Sequence, residues 1–320
     1  MKQAWYALKG LSMIGCFIFL NSCGQEVKEV SQTETELKED SAAAQLNRGK
    51  YLATHVMLCT DCHGYRDFEI FAGPVTPGTE GVGGERFGPE MGLPGIIYSK
   101  NITPTGLAGW TDHDLITAIT SGKTKKGDTL FPVMPYFAYS QMQKQDLLDI
   151  IAYVKTFKPL PDTVKARQLF IPIAAAVPQL PPPFTGGLAV DTTDPVKYGQ
   201  YLLTMASCSD CHTPMVKGAF DMTKFVSGGR EFKLPGFTVH SANITPDSAT
   251  GIGSWTESMF LDKFRENAAL AVSKNKPGKS NTIMPWEAYA GMKTSDLKAI
   301  YAFLRTVKPI SHKVDKWPGL

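Results

Sequence analysis

One pattern of residues occurs twice in this chain, in the same order, and no other feature limits its fold as much. Cys59-Thr60-Asp61-Cys62-His63 returns 149 positions later as Cys208-Ser209-Asp210-Cys211-His212. Gly49-Lys50-Tyr51-Leu52 precedes the first copy, and Gly199-Gln200-Tyr201-Leu202 precedes the second. Asn101-Ile102-Thr103-Pro104, Trp110-Thr111, Met134-Pro135, Asp146-Leu147 and Lys158-Pro159 then follow in the first half. Asn243-Ile244-Thr245-Pro246, Trp255-Thr256, Met284-Pro285, Asp296-Leu297 and Lys308-Pro309 follow in the second. Only the loops between these landmarks change length. The repeat therefore predicts one domain over 45–160, a second over 195–320, and a connector over 161–194. Pro161, Pro172, Pro178 and Pro181-Pro182-Pro183 suit an extended, semi-rigid connector rather than a helix. Within it, Leu169-Phe170-Ile171 is apolar enough to pack on a domain.

Each half reads as helices separated by long loops. Asp194 is placed to cap an opening helix with Pro195 at its first position. Thr111 and Asp114 have the spacing of a capping box. Helices over Gln145 to Phe157 and Ser295 to Val307 close the halves. In the second of these, Leu297, Ile300, Tyr301 and Leu304 form one apolar face. The Gly- and Pro-rich stretches from Gly73 to Pro104 and Gly228 to Pro246 predict loops with at most short strands. Loops of that length are costly to order unless something fills the space beneath them.

The Cys-x-x-Cys-His spacing supplies the filling. Two thiols three positions apart on one helical turn can reach the two vinyl groups of a single porphyrin, and the adjacent His reaches its iron. Cys59, Cys62 and His63 predict one covalent haem c, and Cys208, Cys211 and His212 a second. A zinc site would want further Cys or His at matching spacing, and a thioredoxin-like pair would want a βαβ setting. Neither is present in the sequence. Met134 and Met284 are the candidates for the second axial ligand of each iron. They lie 71 residues after His63 and 72 after His212, and both precede a Pro and the closing helix. The competing role for these two, and the expected role for Met142 and Met292, is core packing. Of the other histidines, His55 lies nearest a Cys pair, while His113, His240 and His312 have no His counterpart in the other half. Trp110 and Trp255 are either core aromatics or indole donors near a haem edge. Lys123, Lys125 and Lys126 form a basic loop in the first half alone.

The N-terminal segment 1–22 carries Lys2 and Lys9, then an apolar run from Leu11 to Leu20 that is too short to span a bilayer. It reads as a signal peptide. Leu20-Asn21-Ser22-Cys23 has the form of a lipobox, which makes Cys23 a candidate for lipidation. Residues 23–44 are polar and largely acidic and read as a disordered tether. The sequence thus predicts an exported protein, anchored by lipid on the periplasmic side of a bacterial membrane. Of the six cysteines, Cys16 falls in the leader, and the remaining five are assigned above. Lys+Arg is 33 against Asp+Glu 30, and the leader takes two of those cations. A near-neutral mature chain has no electrostatic footprint for nucleic acid.

Taken together, these motifs resemble bacterial di-haem cytochromes c of the class I type. The resemblance covers about residues 45–310 and includes Gly251-Ile252-Gly253-Ser254-Trp255-Thr256. It implies an all-α fold of two tandem cytochrome c-like domains with haem-wrapping loops. In such proteins the loop holding Asn101, Thr103, Asn243 and Thr245 often nears the haem propionates. The function implied is electron transfer between a dehydrogenase or quinol-oxidising complex and an acceptor such as a terminal oxidase. The alternative is a di-haem enzyme. A cytochrome c peroxidase would be expected to have unequal haem sites, which the similar halves do not offer. A thiosulfate dehydrogenase would want a further Cys as axial ligand, and none remains.

Overall fold

A computed structural model describes residues 39–216 and 218–320. The leader, Cys16, Cys23 and most of the segment read as a tether lie outside the described residues. The first described helix runs over 39–51, so it begins inside the segment 23–44 expected to be disordered. The run Ser41-Ala42-Ala43-Ala44 accounts for that difference, because alanine is the strongest helix former. The helix continues into a wider π-turn over Leu52–Val56.

Each half is built on a crossing of its opening and closing helices. In the first half the closing helix is Lys144–Val154. In the second, Pro195–Met205 opens and Thr294–Leu304 closes. Asp194 caps the former, its carboxylate accepting from the amides of Val196 and Lys197. The crossings are so close that a Cβ on Gly49 would stand 1.9 Å from the Asp149 carbonyl oxygen. A Cβ on Gly199 would stand 1.9 Å from that of Ala299. Only glycine allows backbones to meet in this way.

Between the helices, the long loops form short antiparallel ladders. Arg86–Phe87 pairs with Gly95–Tyr98, and Glu231–Leu234 pairs with Phe237–His240. A capped helix, Asp112–Ser121, lies in the first half, with the Thr111–Asp114 capping box formed as its sequence predicts. Glu257–Val272 takes the corresponding place in the second half. Fold and sequence therefore agree on a helical protein, with the loops contributing a little sheet.

The two halves share one hydrophobic core. Leu52, Val56, Leu147 and Ile150 of the first belong to the same buried cluster as Leu202, Met205, Leu297 and Ile300 of the second. Met142 and Met292 are buried in it as well. Polar contacts across the seam come in symmetric pairs. Tyr51 Oη donates to Asp296 Oδ2 at 2.7 Å, and Tyr201 Oη donates to Asp146 Oδ2 at 2.7 Å. The Lys293 amide donates to Tyr51 Oη at 3.1 Å, and the Gln143 amide to Tyr201 Oη at 3.4 Å. Residues 51 and 201, 146 and 296, and 143 and 293 are repeat partners, so the contact is self-complementary, as in a twofold dimer. The connector is also integrated. Gln168–Leu169 adds a third strand beside Gly95–Tyr98, while Phe184 and Val190 pack on the core. Leu169 packs as its sequence predicts, but Phe170 and Ile171 face solvent.

Replacing Gly199 by Ala forces the crossing apart. The expected result is a loss of about 1–3 kcal/mol or more, read as a lower midpoint in denaturant unfolding of the intact protein. An unchanged midpoint would mean that the helices do not cross at this residue.

Candidate haem-binding sites

Each Cys-x-x-Cys-His run sits on one helical turn, Cys59–Cys62 and Cys208–His212. The residue before each turn, Leu58 or Ser207, adopts the left-handed backbone with φ of 54° and 52°. Non-glycine residues pay for that conformation, and here it recurs at matching positions in both halves. It breaks the opening helix and turns the Cys-bearing segment out of line with it. Burial pushes the thiols of Cys59 and Cys208 up to about 12, and raises that of Cys211 as well, whereas the Cys62 side chain is exposed. Among the described residues, no three or more His, Cys, Asp or Glu side chains gather as a metal-binding group.

The two histidines are oriented identically. His63 Nδ1 lies 2.6 Å from the Lys100 carbonyl oxygen, and His212 Nδ1 lies 2.7 Å from that of Ala242. Burial holds both rings below their ordinary pKa, hence neutral. With the proton on Nδ1 donated to a carbonyl, the lone pair falls on Nε2, the arrangement an iron ligand needs.

The Asn-Ile-Thr-Pro loops hold those carbonyls in place. Asn101 Oδ1 accepts from the Thr103 amide at 2.8 Å and from its hydroxyl at 2.6 Å, while Asn101 Nδ2 donates to the Leu160 carbonyl at 3.1 Å. Asn243 repeats this with Thr245 at 2.9 and 2.7 Å and with the Ile310 carbonyl at 2.8 Å. All four side chains are buried. Each loop is thus pinned to the chain leaving its closing helix, with the residue before the Asn presenting its carbonyl to the His. Gly83 and Gly228 complete the arrangement. Their amides donate to the carbonyls of His63 and His212. A Cβ on either would come within 2.4 Å of the backbone of Lys100 or Ala242.

Met134 and Met284 are half-buried and pack against the shared core. Short helices, Tyr136–Tyr139 and Trp286–Ala290, follow them. These helices tie the Met segments to the Cys segments. Tyr139 Oη donates to the Met57 carbonyl at 3.3 Å, and Tyr289 Oη to that of Ala206 at 2.6 Å. Met57 and Ala206 stand two positions ahead of the first Cys of each pair.

The remaining sequence candidates have other places. His55 lies on the seam, its Nδ1 2.9 Å from the Ala288 carbonyl oxygen. His113 is exposed, His240 faces Glu231, and His312 Nδ1 meets the Ser227 carbonyl at 3.0 Å. Trp110 and Trp255 pack against the core, and Lys125 lies over the Trp110 ring. The tyrosine ties and the pinning role of the asparagines are not read from sequence. The repeat of Asn-x-Thr and of Tyr139 and Tyr289 at matching positions was the available signal.

Comparison with known proteins relates the chain to cytochromes c. Residues 196–308 match the family model of cytochrome c. The cytochrome c subunit of a quinone-dependent alcohol dehydrogenase from Komagataeibacter europaeus is 27% identical over 85% of this chain and 58% of its own length. The cytochrome c subunit of a gluconate 2-dehydrogenase from Pantoea cypripedii is 30% identical over 69% of this chain and 51% of its own. The cytochrome subunit of a fructose dehydrogenase from Gluconobacter japonicus is 28% identical over 82% and 52%. The chain thus spans little more than half the length of these relatives. The matched stretch lies in the second half and is that of a cytochrome c domain, a kind of domain that carries covalently bound haem c.

Asn243→Ala would leave the Thr245 amide and the Ile310 carbonyl without their buried partner. A loss of about 1–3 kcal/mol is expected in chemical denaturation, against a much smaller change for a substitution at exposed Lys224.

Proposed function

We propose that the chain is a di-haem electron carrier, one haem c per half, working as the cytochrome partner of a dehydrogenase. The observation that most supports this reading is repetition. A Cys pair on one turn, a His with Nδ1 committed to a loop carbonyl, and a Met segment tied by a tyrosine to the Cys segment all occur in both halves. Cys59 and Cys62 would hold one haem by thioethers, and His63 and Met134 would bind its iron. Cys208, Cys211, His212 and Met284 would hold the other. Haem c in such a site supplies one-electron exchange at its iron. The chain's own part is to keep both histidines neutral and aimed, and to offer the sulfurs of Met134 and Met284 to the irons. Irons bound by both His and Met would leave no position for a substrate, which favours a carrier over a di-haem enzyme. The relatives that are cytochrome subunits of alcohol, gluconate and fructose dehydrogenases support a dehydrogenase as electron donor.

Counting haem per chain in the purified protein, with its oxidised spectrum, tests this reading. Two haems, each with the far-red band of a Met–Fe(III) bond, are expected. One haem per chain, or a haem that readily binds added ligand, would overturn it. Met284→His should leave both haems attached and lower one potential, because His does not share the potential-raising effect of Met. Redox titration checks this, and Met134→His should act likewise on the other haem.

The same reading places the chain on the periplasmic side of a bacterial membrane, exported by residues 1–22 and held by lipid on Cys23. None of the described helices is long and apolar enough to cross a membrane. Cys23→Ser should move the protein from the membrane to the soluble fraction on cell fractionation, with its haem content unchanged.

A further inference from the structure

The two halves use the segment that follows the His in opposite ways. In the first half it folds back on itself, Arg66 bridging to Val75, and the second half covers it. Asn281 Oδ1 accepts from the Ala72 amide at 2.9 Å, and Asn281 Nδ2 donates to the Phe68 carbonyl at 2.8 Å. The Phe71 amide donates to the Asn275 carbonyl at 2.8 Å, and the Phe68 ring meets Phe237 at 6.0 Å. This hairpin therefore already serves as a contact between protein surfaces.

Its counterpart in the second half is the hairpin of Met215–Val216 with Ala219–Phe220. Met215 lies three positions after His212, as Arg66 does after His63. Its large side chains face solvent: Val216 is 56% exposed, Phe220 40%, and Met222, just beyond, 64%. The second hairpin thus keeps an apolar surface that solvent alone would not favour. It is also anchored to the haem-binding turn. The Arg230 guanidinium lies over the rings of Phe220 and Phe232 and donates to the Asp210 carbonyl.

We propose that Met215, Val216 and Phe220, with Met222, form the docking surface for a dehydrogenase subunit, which would seat that subunit beside the second haem-binding turn. The proposal rests on the reading of this chain as a dehydrogenase's cytochrome partner. The relatives that are dehydrogenase subunits supply the class of occupant. The first hairpin's seat shows the chemistry such an occupant would present: an aromatic ring, with an amide side chain and backbone carbonyls around it. The apolar, methionine-rich contact should be insensitive to salt, unlike an electrostatically steered complex.

The test places a photo-crosslinking amino acid at Met222 of the full chain in its native cells, with a control at exposed Leu188 on the connector. The expected product joins residue 222 to a dehydrogenase subunit, identified by mass spectrometry, persists at high salt and is absent at residue 188. In parallel, V216D with M222D should slow reduction of the haems by that dehydrogenase about tenfold. The haem spectrum and reduction by ascorbate should stay unchanged. A dehydrogenase captured at 188 but not at 222, or equal rates in the double variant, would overturn the docking surface and leave the proposed function standing. If residue 222 joins only a second copy of this chain, a protein of another class, or nothing, and no dehydrogenase reduces the chain, both fall.

Discussion

The close crossing of opening and closing helices is the constraint on which the remaining geometry depends. At Gly49 and Gly199 the backbones touch where any side chain would stand between them. The Cys turn leaves the end of the opening helix, and the Met segment enters just before the closing helix. Bringing these two helices together therefore brings together groups more than seventy positions apart in the chain. The tyrosine bonds from the Met segment to Met57 and Ala206 then fix the distance between the two sides. Without the crossing, the Asn loops would also lose their anchor, because they bond to the chain that leaves the closing helix.

The seam between the halves follows the logic of a dimer whose subunits have been joined. Two buried carboxylates, Asp146 and Asp296, each receive a tyrosine hydroxyl from the opposite half. Burial, together with the neighbouring carboxylate, pushes the Tyr51 and Tyr201 hydroxyls above their ordinary range and keeps them as donors. The symmetry fails at one pair. Arg48 forms a two-bond salt bridge with Asp146, at 2.9 and 3.0 Å, whereas its repeat partner Tyr198 gives Asp296 a longer bond of 3.4 Å. Asp296 has no cation partner among the described residues and relies on hydroxyl donors. A buried carboxylate is tolerable under those conditions only when its hydrogen bonds are made. The halves have thus diverged in charge while keeping the same contact.

The repeat made the two Cys-x-x-Cys-His turns, the paired methionines, the caps at Asp194 and Thr111 and the closing helices legible from the sequence. Each depends on local spacing, which linear order preserves. The sequence showed that Asn101 and Asn243 recur, but not that they pin a carbonyl against a histidine, because their partners Leu160 and Ile310 lie about sixty positions away. It showed His55 nearest a Cys pair in the chain, but not its bond to the Ala288 carbonyl on the seam. It separated the halves into tandem units, and packing merged their cores, because an amphipathic helix does not record which partner will cover its face. The sequence by itself determined which residues make up the two candidate sites. Only the tertiary structure decided how their loops are pinned, how the halves share a core and which hairpin stays exposed, since those outcomes depend on contacts between residues far apart in the chain.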